Sequence, residues 1–292
     1  MMREMKKGAD ELYQNHGDHI DCIMTPEDFL VEYLPKILEE SKMWRCVKTQ
    51  VTDENMYEEE TDVFSLIYGA NDLKMLTLIV VSKSSGEALF KSTFPIARGV
   101  SFDVKINKVI EWDNQIEATI LCSIGEFDFA FFAVDYSCSK NKYKVGTTIS
   151  IDLSALAIKA EEADRGFKFE GQDAIDWLEK IGEKPSFDEN GNVNPIEFRL
   201  ENLVAFLPKD PKCPDEAEFQ SPVSDVESCS ILNVDFLKTN IAICREQEES
   251  DLEVIIPLYF RKEFFPDIKQ NDPLRGYLWV TGCLSSNNDL FK

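Results

Sequence analysis

Aromatic and apolar side chains crowd the middle of the chain. Phe127, Phe129, Phe131 and Ala133 are interleaved with Asp128, Ala130 and Phe132, so both faces of the stretch are largely apolar and a strand buried in the core is predicted. A polar turn over residues 137–142 follows. Thr147, Ile149 and Ile151 then alternate with Thr148, Ser150 and Asp152, the period of a half-buried strand. Residues 125–158 therefore read as a long hairpin. A similar arrangement returns about one domain length later, with an apolar run over 252–265, a polar turn, and a second apolar run over 276–284. Setting Gly146 opposite Gly276 aligns the two, which suggests an internal duplication of a β-meander; any two buried hairpins align about this well, which is the competing reading.

The flanking pattern fills in the other elements. Thr25 is suited to cap a helix, Pro26 to its first position, and Glu27 and Asp28 to its positive end, while Phe29, Leu30, Tyr33, Leu34, Ile37 and Leu38 recur at helical spacing. Pro35 predicts a kink or break within that helix. Strands are expected over 44–51, 63–68 and 73–82, and then two more joined at Asp113-Asn114. Ala and Glu content predicts a short helix over 154–163, and Ile175, Leu178 and Ile181 share one face of another over 172–182. Residues 196–208 fit both periods, and 209–225, with Pro211, Pro214, Pro222 and several acids, read as a loop or linker.

The fold class expected is α+β, predominantly antiparallel β-meanders with a few short helices. Barrel-like closure, of which an oligonucleotide- or oligosaccharide-binding barrel is one form, stands beside sandwiches and open sheets. The expected division is a flexible arm over 1–24, a helix with antiparallel strands over 25–95, a first meander over 96–160, a helical and loop insertion over 161–228, and a second meander over 229–292.

Composition changes what such a fold is expected to do. The 292 residues include 20 Phe and are 43% hydrophobic, enough to fill sizeable cores. The formal net charge of -23 comes from 54 acidic and 31 basic side chains, and it repels nucleic-acid phosphates and anionic membranes at long range. A charged partner is therefore expected to be basic, with Glu58, Glu59 and Glu60 and with Glu246, Glu248 and Glu249 as candidate contacts. Eight cysteines without a Cys-x-x-Cys pair, together with no signal-like or membrane-length apolar run, point to a reducing cytoplasm.

Candidate chemistry is sparse. His16, His19 and Cys22 supply metal-ligand types within seven residues, and no other histidine exists to activate a nucleophile. Residues 186–197 match part of a calcium loop, with Asp188 and Asn190 at its third and fifth places and Glu197 at the twelfth, but Ser186 stands at the first. Asn190-Gly191 equally signals a type I′ hairpin joining strands near Phe187 and Val193. Asp135 and Asp152, at opposite ends of the central hairpin, are a carboxylate pair with nothing to single it out. No phosphate-cradling glycine loop occurs, and no cofactor is expected. The expectation is a non-enzymatic acidic cytoplasmic binding protein of inhibitor, immunity or adaptor type. The alternative is a barrel binding a small ligand, oligosaccharide or oligonucleotide, or a hydrolase whose site is assembled from distant residues.

Overall fold

Thr25 caps the first helix as its position suggests: its side chain accepts from the Asp28 N–H, opening α1 (Pro26–Asp28). Ahead of Pro35 the chain widens into a π turn, Phe29–Tyr33, in which the Leu34 N–H reaches back to the Phe29 carbonyl, before α2 (Leu34–Glu40) resumes. The break expected at Pro35 is thus present. Four strands follow, β1 (Lys42–Thr52), β2 (Glu58–Tyr68), β3 (Leu73–Ser82) and β4 (Ala88–Ala97), forming an antiparallel sheet in sequence order. These elements belong to a computed structural model that describes residues 17–52, 58–245 and 252–292.

The remaining long strands close on themselves. A meander of β5 (Val100–Glu111), β6 (Ala118–Ile124) and β7 (Phe127–Ala133) leads through α3 (Tyr136–Ser139) into β8 (Thr148–Glu162). An insertion of β9 (Gly166–Phe169), α4 (Gly171–Ile181) and β10 (Ile196–Arg199) comes next. After it, β11 (Ala205–Asp210) precedes a second meander, β12 (Cys213–Ile231), β13 (Val234–Arg245) and β14 (Glu253–Arg261), and finally β15 (Pro273–Leu284). β5 pairs with β6 and with β8, β6 with β7, β7 runs parallel to β15, and β15 is antiparallel to β8, which closes one five-stranded ring. β12, β13, β14, β8 and β15 close a second in the same manner, with β14 parallel to β8 and β15 antiparallel to β12. The antiparallel ribbon β8–β15 belongs to both rings. Each meander is completed by its own fourth strand and by that of the other, so one connectivity is used twice. The residue matching is different from that expected: Gly146 lies in the turn before β8, whereas Gly276 sits inside β15.

One continuous core fills both rings. Val104, Ile120, Phe131, Leu153 and Val280 lie in the first, Phe219, Ile241, Ile256, Phe260 and Leu278 in the second, all buried in one cluster. Where the rings meet, β8 carries Ala155, paired with both β14 and β15, and Ala157, paired with β15. The helix expected over 154–163 is therefore strand: strands flank it on both sides, and the small side chains that raise helix propensity here admit close neighbours. The outer side of the ribbon is buried too. Leu156, Tyr259, Trp279 and Phe132 pack against Leu76, Phe94 and Ile96 of the four-stranded sheet and against Ile23, Phe29 and Ile37. Each such large side chain contributes about 1.5–3 kcal/mol when fully buried.

Two further expectations change. Ile20, Cys22, Ile23 and Met24, assigned from sequence to a flexible arm, are buried in this second core. Residues 209–225, expected as a loop, are mostly β-strand. Pro222 falls where β12 stops pairing with β15 and begins pairing with β13, a point at which a missing N–H costs the ladder little. Among the described residues no helix is long and apolar enough to cross a membrane.

Candidate functional site

Along β15, Arg275, Tyr277 and Trp279 alternate onto the outer face of the second ring, and the face divides into a covered part and an open part. Trp279 is fully buried. The His19 ring stacks on it with centroids 3.9 Å apart, and the Trp279 N–H donates to Asp215 Oδ2 at 2.9 Å. His19 Nε2 lies 3.2 Å from Glu216 Oε1. Burial raises the Asp215 carboxyl, with His19 and the indole N–H pulling the other way. Cys22, on the same 3-10 turn as His19, points its thiol at the Leu156 carbonyl at 3.9 Å. Burial, with Glu216 and Asp21 nearby, pushes that thiol well up, so it stays protonated and is a poor metal ligand. His16 lies outside the described residues. Among the described residues no group of three or more His, Cys, Asp or Glu side chains is placed to hold a metal.

The open part of the face is a groove of about 410 Å³ floored by β8, β15 and β12 and rimmed by β11. Lys159, Tyr277 and Glu218 sit opposite one another in one cross-strand row, and Glu161, Arg275 and Gln220 in the next. Arg275 bonds Glu161 and Asp164, both at 3.1 Å, and Lys159 lies 3.4 Å from Glu161. The Lys209 ammonium stands 3.9 Å above the Tyr277 ring. Ala205 and the exposed Leu207 form the apolar side. Sequence reading passed over these residues because the register that joins β8, β15, β12 and β11 is not visible locally; only the alternation Arg275, Tyr277, Trp279 hints at a polar-to-apolar face.

β7 and β8 are not paired with each other, so the hairpin expected over 125–158 is absent, and Asp135 and Asp152 instead both meet the terminal segment. Asp135 is fully buried and accepts from Tyr143 Oη at 2.5 Å, Asn287 Nδ2 at 2.5 Å and the Leu284 N–H at 3.3 Å, while Asp152 accepts from Ser285 Oγ. Burial raises the Asp135 carboxyl against the pull of these donors. Leu284 and Asn287 tie the turn after β7 to the chain end and Tyr143 ties it to the segment ahead of β8, which gives this acid a structural use.

The remaining candidates are dispersed. Phe187 and Val193 form an antiparallel bridge, and Asp188 Oδ1 accepts from the N–H groups of Asn190 and Asn192, each at 2.8 Å. Gly191 is left-handed at φ +82° and Asn190 is not, so the hairpin's turn is not type I′, which needs both. Glu197 sits on β10, 3.9 Å from Lys168. Glu60 bonds Lys83 at 2.6 Å, which holds its carboxyl below the usual range. Glu58 and Glu59 open β2 opposite Thr52 and Val51. Glu246, Glu248 and Glu249 lie outside the described residues. No protein-family model matches the chain, and comparisons with curated proteins and with solved structures likewise give no match.

Proposed function

We propose that the chain is a non-enzymatic binding protein of a reducing, cytoplasmic compartment that recognises a basic protein surface through its acidic exterior. The observation that carries this reading is the insertion between β8 and β11. Residues 166–199 hold eight acidic side chains against four basic ones, and Asp173, Asp176, Glu179 and Glu183 recur at helical spacing along and just beyond α4. Phe167, Ile181 and Phe187 stand among them 47%, 51% and 57% exposed. Inside, Phe169, Trp177 and Phe198 pack on one another with ring centroids 5.2–5.9 Å apart, so the insertion has a small core of its own.

The rest of the molecule supports the same reading. Side chains fill both rings, and the groups suited to catalysis, His19, Asp135 and Asp215, are buried and bonded to other protein groups. All eight cysteines are free thiols. Exposed apolar side chains on an element rich in carboxylates provide contact area together with charge-steered association.

The test is capture of partners by the tagged protein from its host's lysate, washed at low and then at high salt, beside a variant with Asp173, Asp176 and Glu179 changed to Lys. A stoichiometric basic partner, released by salt and missing from the variant, is expected. A partner that is acidic, or that salt and charge reversal leave bound, contradicts the proposal, as does recovery of the protein alone.

A further inference from the structure

We propose that the outer edge of β1 is a docking site for an extended, acidic segment of another protein, which adds to the four-stranded sheet as a fifth strand. This site is separate from the acidic insertion and does not depend on it. β1 is paired on one side only, by β2. The Lys83 N–H donates to the Glu60 carbonyl, which turns Glu60 and every second residue of β2 toward β3. Thr61, Val63 and Ser65 therefore turn toward β1, where they face Thr49, Val47 and Arg45, and the Thr61 hydroxyl also donates to the Thr49 carbonyl. That leaves the backbone N–H and carbonyl groups of Cys46, Lys48 and Gln50 pointing away from the sheet, with no backbone partner among the described residues. Edges are ordinarily blunted by proline or by shortness, as β4 is by Pro95 and the six-residue β11 by Pro208. β1 runs for 11 residues without proline or glycine, and its one bulge, at Met43–Arg45, lies ahead of this stretch.

The side chains beside this edge select the segment. Cys46, Phe64, Ile79 and Phe90 form one cross-strand row through all four strands, and Met43 pairs with Leu66 further along the same face. Met43, Cys46 and Phe90 are exposed, and none of the six belongs to either core, so an apolar side chain on an added strand extends a row already begun. Lys48 follows Cys46 on that face. On the opposite face the edge borders a groove of about 470 Å³, between residues 47–49 and the turn after β7, which Lys140 lines and no carboxylate does. A carboxylate on either face of the added strand thus meets a lysine. The acids nearest Lys48 on β2, Glu60 and Asp62, are both engaged by Lys83. A second copy of the chain is the poorer occupant: β1 carries Lys42, Arg45 and Lys48 and no acid, so pairing it with itself sets cations against cations. The net charge of -23 does not forbid an acidic segment, because at physiological ionic strength its field is screened within about 8 Å. Nor does a short acidic segment set the net charge of the protein that carries it.

The test is amide hydrogen exchange of the full chain, read residue by residue at physiological ionic strength, with a synthetic peptide of alternating valine and glutamate and with its valine–lysine counterpart. In the free protein the amides of Val47 and Thr49 are expected to be protected and those of Cys46 and Lys48 to exchange freely. The glutamate peptide is expected to slow Cys46 and Lys48 saturably, by about tenfold or more, and the lysine peptide to leave them unchanged. The chain's net charge favours the lysine peptide everywhere else, so a preference for glutamate at these two amides reports the local lysines. Lys48→Gln combined with Lys140→Gln removes that preference, and both positions are exposed, so the variant keeps the thermal unfolding of the parent. The inference is overturned if the glutamate peptide leaves Cys46 and Lys48 exchanging freely, if the lysine peptide protects them at the same concentration, if the two amides are already protected because the chain pairs with itself, or if the double variant keeps the preference.

Discussion

Asp135, in the turn after β7, binds both the segment ahead of β8 and the chain end. Removing its carboxylate strands the Tyr143 hydroxyl, the Asn287 amide and the Leu284 N–H in a buried site, so Asp135→Ala is expected to cost about 3 kcal/mol or more in urea unfolding. Because burial raises its folded-state pKa, Asp135 holds its proton longer in the folded protein than in the unfolded chain. Its share of stability is complete below about pH 4, where unfolded carboxylates titrate, and is lost as pH rises toward the folded value. Stability measured from about pH 4 upward should therefore fall less in Asp135→Asn than in the parent, once the loss of acceptors is subtracted; an unchanged slope contradicts the assignment. Gly276 carries a different constraint, since a Cβ there would stand 2.0 Å from the Lys159 carbonyl oxygen across the ribbon. Gly276→Ala is expected to lower unfolding free energy by about 2–3 kcal/mol, whereas the same change at Gly86, which meets nothing, strains only a left-handed turn. Sequence singled out both Asp135 and Gly276, but neither for its actual use: two of the acid's partners, Leu284 and Asn287, and the glycine's close neighbour, Lys159, lie more than a hundred residues away.

Elements were legible where local pattern and tertiary setting agree. Residues 127–133 alternate apolar side chains and form β7, and Thr25-Pro26 begins a helix, because caps and alternation are short-range physics. From sequence β8 reads as partly helical, because Ala155, Ala157 and Ala160 are small for a reason found only in three dimensions, the approach of β14 and β15 on its two sides. From sequence β12 reads as a loop because of its prolines and acids, yet the prolines sit at its start and at a change of partner, where they do no harm. The insertion is the most separable element. The Leu200 N–H donates to the Arg165 carbonyl at 2.9 Å, so the two ends of residues 166–199 already meet. Excising those residues and joining Arg165 to Leu200 through a short glycine-containing turn should leave Tm within about 2 °C of the parent by calorimetry, a shift that corresponds to about 1 kcal/mol or less. A larger drop would mean that the insertion stabilises the rings, and it would count against an insertion whose own small core is enough to hold it.

At the scale of the whole molecule, the sequence conveyed antiparallel meanders, a repeat and an acid surplus. It did not convey how the repeats close. Two hairpins with similar patterns are compatible with two separate barrels, a sandwich or an open sheet, and the choice is made by parallel pairings, Phe132 with Thr281 and Leu258 with Ala155, that no local pattern announces. The candidate groove was illegible for the same reason, since it exists only once β8, β15, β12 and β11 are in register. Sharing the ribbon has a mechanical consequence: neither ring survives the loss of β8 or of β15, so the two should unfold as one cooperative unit.

Native-state hydrogen exchange in increasing denaturant, read amide by amide, tests that claim most directly. The account predicts that core amides of β5–β7, of β12–β14 and of the ribbon β8–β15 converge on a single opening free energy equal to that of global unfolding. An opening that exposes β12–β14 while β5–β8 and β15 remain protected, or the reverse, would contradict the shared-ribbon architecture.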